Sequence, residues 1–321
     1  MIVSSDRAIS GVSGELQSIE AFNAAIGTMG WESEIRQLDL HARPVPFAAG
    51  AGEKLALLKV MFPNKAHQRT APPSDRVTFG IPTAPQSPVR IRNTPVSSES
   101  ITHFADGMES ISEQMFSAYT VSVDTERMKG SVRRLHSDKN LPFSPESRRV
   151  ESQALGEARQ LLSAAIDLVG SGDLASTTRA ALFENFEAQL PALISALWFA
   201  GETESAEFSA PRRRDVIRRS LTRLRESSAG SCQIEDLCEA GACSQRTLER
   251  SYREHFGITP KQYLNRFRLA GVHRALLNPH EKRSIGDLAA HWGFWHLSQF
   301  SASYRAMYGE LPSTTTRRLR T

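Results

Sequence analysis

GFWHLSQFSASYRAMYGELPS, Gly293–Ser313, decides how the last third of this chain folds. A glycine opens it, two large aromatics follow, and a glycine and a proline close it. Between them Phe300, Tyr304 and Tyr308 recur at four-residue spacing, the period of one face of a helix. Upstream, Ser284 stands three residues before Asp287, a capping-box start for the short helix IGDLAAHWG. Together these make a short helix, a glycine turn and a second helix with one buried stripe.

The same unit occurs once before. IEDLCEAG is a short helix with a turn at Gly241, and Ser244 caps SQRTLERSYREHFG, whose Leu248, Tyr252 and Phe256 form the stripe. Leu237 pairs with Leu288, Gly241 with Gly293, Leu248 with Phe300, Tyr252 with Tyr304 and Gly257 with Gly309. Between the copies Thr259–Pro260 starts a long helix, PKQYLNRFRLAGVHRALLN, which Asn278–Pro279 ends. An internal repeat with shared punctuation is one supersecondary unit used twice. Helix, tight turn and polar-faced helix is the helix-turn-helix arrangement. Its second helix enters the major groove of double-stranded DNA, N-terminal residues leading. In the first copy that edge carries Ser244, Gln245, Arg246 and Thr247, and the outer face continues through Glu249, Arg250 and Arg253. Arginine bridges guanine O6 and N7, and glutamine pairs with adenine, so Arg246 and Arg250 are the favoured base readers, with Gln245 or Glu249 supplementary.

Charge agrees with this assignment. Net charge is +4 over 321 residues, but Phe208–Thr321 holds 20 Lys and Arg against 10 Asp and Glu. The preceding residues hold 19 against 25. A basic third on an acidic body is built to meet a polyanion, nucleic acid before a membrane surface.

The segment Ile234–Arg318 resembles the DNA-binding domain of the AraC/XylS family of transcription regulators. The resemblance rests on the paired units, on the connecting LNRFRLAGVHRALL, and on Gly293, Phe294, Phe300, Tyr304, Arg305, Gly309 and Pro312. It implies two recognition helices held on one face for successive major grooves. The second would offer Trp295, His296, Ser298, Gln299 and Ala302 to DNA, with Arg305 on a phosphate. For Trp295 the sequence leaves core packing and DNA contact equally open.

The rest of the chain reads as two further parts. EIRQLDL, KLALLKVMF, DRVTFGI, VRIRN and AYTVSVD are short strand-like runs within Trp31–Met128, separated by turn-rich pieces such as RPVPFAAGAG and TAPPSD. They predict a β-sandwich or small barrel over residues 1–144, cupin-like by the resemblance. Residues 145–200 then change to helical period, with Leu155, Leu161, Leu162 and Ile166 in one stretch and Phe183 and Phe186 in the next. Pro191 is expected to kink or split that second stretch. By the resemblance these helices form a homodimer. Residues 201–210 read as a linker before the DNA-binding domain at 211–321. The fold class expected is therefore α+β: a β domain, a helical dimerisation segment, and an all-α domain of two helix-turn-helix units joined by a long helix.

The resemblance also implies a small-molecule effector in the β domain and contact with RNA polymerase. Phe62, Phe79, His103, Phe104 and Tyr119 are the candidate pocket liners, and Lys59, Lys65, Arg69, Arg90 and Arg92 admit an anionic ligand. A protein partner for the β domain is the alternative. His41, His67, His103 and His136 are isolated and no nucleophile–base pair or phosphate loop is present, so neither metal, cofactor nor catalysis is expected. Cys232, Cys238 and Cys243 lack zinc-ligand spacing and read as small apolar side chains rather than a redox pair. No apolar run approaches the roughly 20 residues of a membrane span, and no signal peptide is visible, which predicts a cytoplasmic protein without membrane contact.

Overall fold

The computed structural model describes residues 10–84, 89–91, 94–105, 107–141, 146–170, 175–203, 211–228 and 230–318. The first part runs β1 (Ser10–Leu16), α1 (Ile19–Gly27), β2 (Glu32–Gln37), β3 (Val45–Ala51), β4 (Leu55–Phe62), β5 (Ala66–Ala71), β6 (Arg76–Pro82) and β7 (Val89–Ile91). It continues with β8 (Thr94–Val96), β9 (Ser100–Phe104), β10 (Met108–Ser112), β11 (Phe116–Asp124), α2 (Thr125–Leu135) and β12 (Glu146–Arg149). Helices α3 (Ser152–Gly170) and α4 (Ser176–Ala200) follow, then β13 (Glu202–Thr203). The last part is wholly helical: α5 (Pro211–Glu226), α6 (Ile234–Ala240), α7 (Gln245–Phe256), α8 (Pro260–Leu276), α9 (Ile285–His291), α10 (Leu297–Tyr308) and α11 (Pro312–Arg318). The class is α+β.

Two antiparallel sheets face each other. One has the order β1-β3-β4-β11-β6-β9-β12-β13, the other β2-β5-β10-β7-β8. Side-chain alternation divides the large sheet's residues between two cores. Leu55, Leu57, Phe79, Tyr119 and Val121 point outward against α2, α3 and α4. Leu58, Val60, Phe62, Phe116 and Ala118 point inward, toward the small sheet. Strands so covered on both faces read as continuous apolar runs, which is why KLALLKVMF stood out. The stretch RPVPFAAGAG, expected to be a turn, contains β3 instead. Its glycine is a packing device, because a Cβ on Gly50 would lie 2.6 Å from Val169 Cγ2 of α3.

Helix α4 runs through Pro191 without splitting. Proline removes the N–H that would bond the carbonyl of Glu187, and Arg127 Nε of α2 donates to that carbonyl at 2.9 Å instead. The helices expected to dimerise are spent within the chain. Leu155, Leu162, Ile166 and Phe183 are fully buried in the core they form with the large sheet, and Leu161 and Phe186 pack against it. Strands β12 and β13, from either end of the helical segment, pair with each other on the large sheet. The helices are thus one layer of the β domain rather than a free arm. Most of the expected linker, residues 204–210, lies outside the described residues.

Candidate nucleic-acid interface

Each helix-turn-helix unit is assembled by caps and one aromatic stripe. In the first, Gln233 N donates to Asp236 Oδ2 at 2.7 Å, and Ser244 caps α7 by accepting from Thr247 N at 3.3 Å. Gly257, left-handed at φ 78°, stops α7. Leu237, Leu248, Tyr252 and Phe256 close the core over Val216, Leu221 and Leu224 of α5. In the second, Ser284 and Asp287 form the expected reciprocal cap, Gly309 stops α10 at φ 75°, and Leu288, Phe300 and Tyr304 repeat the core. Helix α8 joins the units with 17 residues, a rod of about 25 Å at 1.5 Å per residue.

The backbone corrects one pairing. The left-handed turn residue of the first unit is Ala242 (φ 46°), and its counterpart is Gly293 (φ 81°). Matching bonds confirm this: Cys243 N to Cys238 O at 3.1 Å, and Phe294 N to Ala289 O at 2.9 Å. Gly241 therefore corresponds to Trp292, not to Gly293. The caps come next, Ser244 in one unit and His296 in the other, so Trp295 is an extra residue with no counterpart. It is 80% exposed, which excludes the core role. The tryptophan that packs is Trp292, whose ring lies where a Cβ on Gly271 of α8 would come within 2.3 Å. Two outcomes follow. Trp295→Ala leaves the melting temperature unchanged, since exposed side chains contribute within about 0.5 kcal/mol. Ala242→Gly raises stability by about 0.5–1 kcal/mol, because an alanine held left-handed carries a strain that glycine lacks. Denaturant titration of both variants checks the pair.

The outer faces are polar and open. Ser244, Gln245, Arg246, Thr247, Arg250 and Arg253 are exposed on α7, with Glu249 half-buried beside them. Arg250 pairs with Glu254 at 2.8 Å and Arg253 with Glu249 at 3.5 Å, while Gln245 Nε2 donates to Glu249 Oε1 at 3.3 Å. Exposed pairs of this kind hold little free energy and exchange readily for a phosphate. Arg246 forms no ion pair among the described residues. On the second unit His296, Ser298, Gln299, Ala302 and Arg305 are all exposed, and the His296 side chain makes no capping bond. The arginine run of α5 is largely engaged: Arg218 and Arg219 hold Asp215, and Arg223 holds Asp236.

The backs of both units rest on the β domain, a contact that no sequence period announced. Tyr263 of α8 accepts from Arg36 Nη1 at 3.0 Å and meets His67 Nδ1 at 2.8 Å. Arg225 of α5 bridges Glu34 and Glu109, each at 3.1 Å, and the Arg36 guanidinium lies 4.5 Å above the Phe267 ring. At the second unit His273 meets Ser18 at 3.2 Å and Tyr304 at 2.5 Å, and stacks on Tyr308 at 3.9 Å. Tyr308 donates to Glu20 at 3.1 Å, and Ala42 N donates to Met307 O at 2.7 Å. Burial holds His67, His255 and His273 in the neutral form, pushing the last two down to about 3. Burial works the other way on Glu109, raising its carboxyl, but the Arg225 guanidinium at 3.1 Å holds it below the usual carboxylate range.

Inside the β domain a cavity of about 80 Å³ lies between the sheets. Phe62 and Phe104 line it. Phe79, His103 and Tyr119 do not: they stand on the other face of their strands, where Phe79 and His103 pack on the Trp198 ring at 5.2 and 6.1 Å. Lining residues that sequence reasoning missed include Trp31, Gln68, Thr70 and Ser110. Lys59 sits 5.6 Å over the Tyr119 ring, while Lys65 and Arg90 pair with Glu113. Arg69 is exposed, and Arg92 lies outside the described residues.

Among the described residues no group of three His, Cys, Asp or Glu could hold a metal, and no helix is long and apolar enough to cross a membrane. Burial raises all three cysteine thiols, which keeps them protonated at neutral pH.

Comparison with known proteins places the helical part. A family model described as a helix-turn-helix domain matches residues 237–318. The XylDLEGF operon transcriptional activator of Pseudomonas putida is 36% identical over 95 residues, which is 29% of this chain and 30% of that protein. The HTH-type transcriptional activator RhaS of Escherichia coli O157:H7 is 31% identical over 169 residues, 52% of this chain and 56% of that one. The chain thus spans between a third and about half of these relatives' length. Among solved structures, the AraC-like transcriptional activator CuxR aligns over 88% of this chain and 100% of its own, with 14% identity and a TM-score of 0.42. ToxT of Vibrio cholerae aligns over 90% and 98%, with 9% identity and a TM-score of 0.29. Over its helical part this chain is therefore similar to helix-turn-helix transcriptional activators, in line with the AraC/XylS resemblance of its sequence.

Proposed function

We propose that the chain is a sequence-specific DNA-binding activator of transcription whose β domain responds to a small molecule. The observation that carries this reading is the orientation of the two units. Their polar faces, led by Arg246 and Gln299, are free, and their backs are held by one β domain. Base readers are Arg246, Arg250 and Gln245 on α7, and Gln299 and Ser298 on α10. Arg253 and Arg305 neutralise phosphate.

The small sheet is the natural relay. Ile35, Gln68 and Ser110 turn one of its faces to the cavity. Arg36, His67 and Glu109, their neighbours along the same strands, turn the other to Tyr263 and Arg225. A ligand acts here only through different affinity for the docked and undocked arrangements. A homodimer and a contact with RNA polymerase belong to the same reading and are what the resemblance implies. A dimer would use faces of α3 and α4 not spent in the core, such as that around exposed Leu182. The reading is of a regulator and not an enzyme.

Salt dependence tests it. Binding to a duplex promoter fragment should weaken with rising salt, log K falling by about 0.9 per log unit for each phosphate neutralised. Affinity indifferent to salt would remove the phosphate contacts, and with them the proposed role of the outer faces.

A further inference from the structure

The cavity between the sheets is lined without a single Asp, Glu, Lys, Arg or His among the described residues. Strand alternation produces this. On β5 Gln68 and Thr70 face inward while His67 goes to the docked helices, and on β2 Ile35 faces inward between outward Glu34 and Arg36. On β10 Ser110 faces inward and Glu109 meets Arg225. The charge of the small sheet is thus turned away from the cavity. What remains inside is aromatic and aliphatic apart from the neutral polar Gln68, Thr70, Thr102, Ser110 and Thr120, with Trp31 and Phe104 edge to face at 5.8 Å.

One of these polar side chains has an atom left over. Thr70 lines the cavity, and its Oγ1 is buried with no hydrogen-bond partner among the described residues. Buried hydroxyls are normally paired, so an orphan on a residue of the cavity wall is where a ligand's polar group can pair. Its neighbour Gln68 is already committed, donating to Ser112 Oγ at 3.1 Å.

We propose that this cavity takes an uncharged, predominantly apolar small molecule bearing one hydrogen-bonding group, which meets Thr70 Oγ1. The proposal rests on reading the β domain as ligand-binding, and it excludes the anionic effector that the cations of the sequence admitted. A carboxylate in this lining would be buried without a counter-charge, which costs far more than the lost contact of a neutral group. The cavity's volume of about 80 Å³ is small, so a single-ring molecule is the size to test.

The test uses the full chain and matched single-ring probes, phenol and benzoate, in isothermal titration at neutral pH. Phenol should bind, and benzoate should bind roughly a hundredfold more weakly or not at all. Thr70→Val, which keeps the shape and removes the hydroxyl, should weaken phenol about five- to tenfold. Ser110→Phe should abolish binding by filling the space. The probe comparison is made on the unaltered chain, so it stands even if a variant folds poorly. Equal or tighter binding of benzoate overturns the exclusion of charge and leaves the β domain a ligand-binding domain. Phenol affinity indifferent to both folded variants overturns this cavity as the site. Failure of both probes to bind overturns the ligand reading itself.

Discussion

Arg246→Ala should weaken binding to the chain's preferred DNA site by about 1–3 kcal/mol, a loss of roughly 5- to 150-fold, and should relax base preference at one position. The side chain sits in the first turn of α7, the part of a recognition helix that reaches base edges. It is exposed and forms no ion pair among the described residues, so its loss leaves stability intact. Arg250→Ala should cost less. In the free chain that arginine holds Glu254, which Arg213 also engages at 2.7 Å, so the pair must open before DNA is met. Affinity of both variants for the selected site and for its single-base changes checks the difference. A uniform loss across all sequences would reassign Arg246 to phosphate.

Lowering pH from 7.5 to 5 should destabilise the chain by a few kcal/mol. His255 and His273 titrate near 3 in the fold, because burial disfavours the imidazolium. Unfolded histidine titrates near 6.5. Between those values the unfolded chain binds more protons, so the contribution is complete above about pH 6.5 and is lost as pH falls. At pH 5 the loss is roughly 2 kcal/mol for each of the two histidines. His67 is shifted in the same direction and adds to it. Glu109, held down by Arg225, joins only at more acidic pH. Glu20 opposes the trend: burial raises its pKa, so its contribution is present in acid and is lost as pH rises. Urea midpoints at the two pH values should differ, and the difference should shrink in His255→Gln/His273→Gln. Midpoints that do not move with pH would contradict the buried, neutral assignment.

The helical third was legible because its signals are local. Ser244, Ser284 and Thr259 cap helices within three residues, Gly257 and Gly309 stop them, and the stripe at four-residue spacing marks the buried face. The one slip there has the same cause. Alanine gives no turn signal, so Ala242 was passed over for Gly241, and the extra Trp295 stayed hidden. Helix α1 carries readable marks, Ser18 as cap and Ile19, Phe22 and Ile26 as its buried face, yet the strand before it, β1, has too few apolar residues in SGVSGEL to announce itself. The β domain was legible as strands but not as faces. Whether Phe79 or Gly80 meets the cavity depends on register against β9 and β11, which only pairing across the sheet decides. The fate of α3 and α4 was illegible for a related reason: an apolar helix face looks alike whether it meets its own sheet or a second chain. The docking of the β domain on α8 depends on lone residues far apart in sequence, such as Arg36, His67 and Tyr263. A single buried histidine carries no period.

The central claim is that two reading faces act together on one DNA duplex. Selection of binding sites from random duplexes by the full chain tests this most directly. The account predicts a bipartite motif, its two elements one helical turn of about 10–10.5 base pairs apart, with Arg246→Ala degrading one element and Gln299→Ala the other. A single short element untouched by Gln299→Ala, or no selected sequence at all, would contradict it.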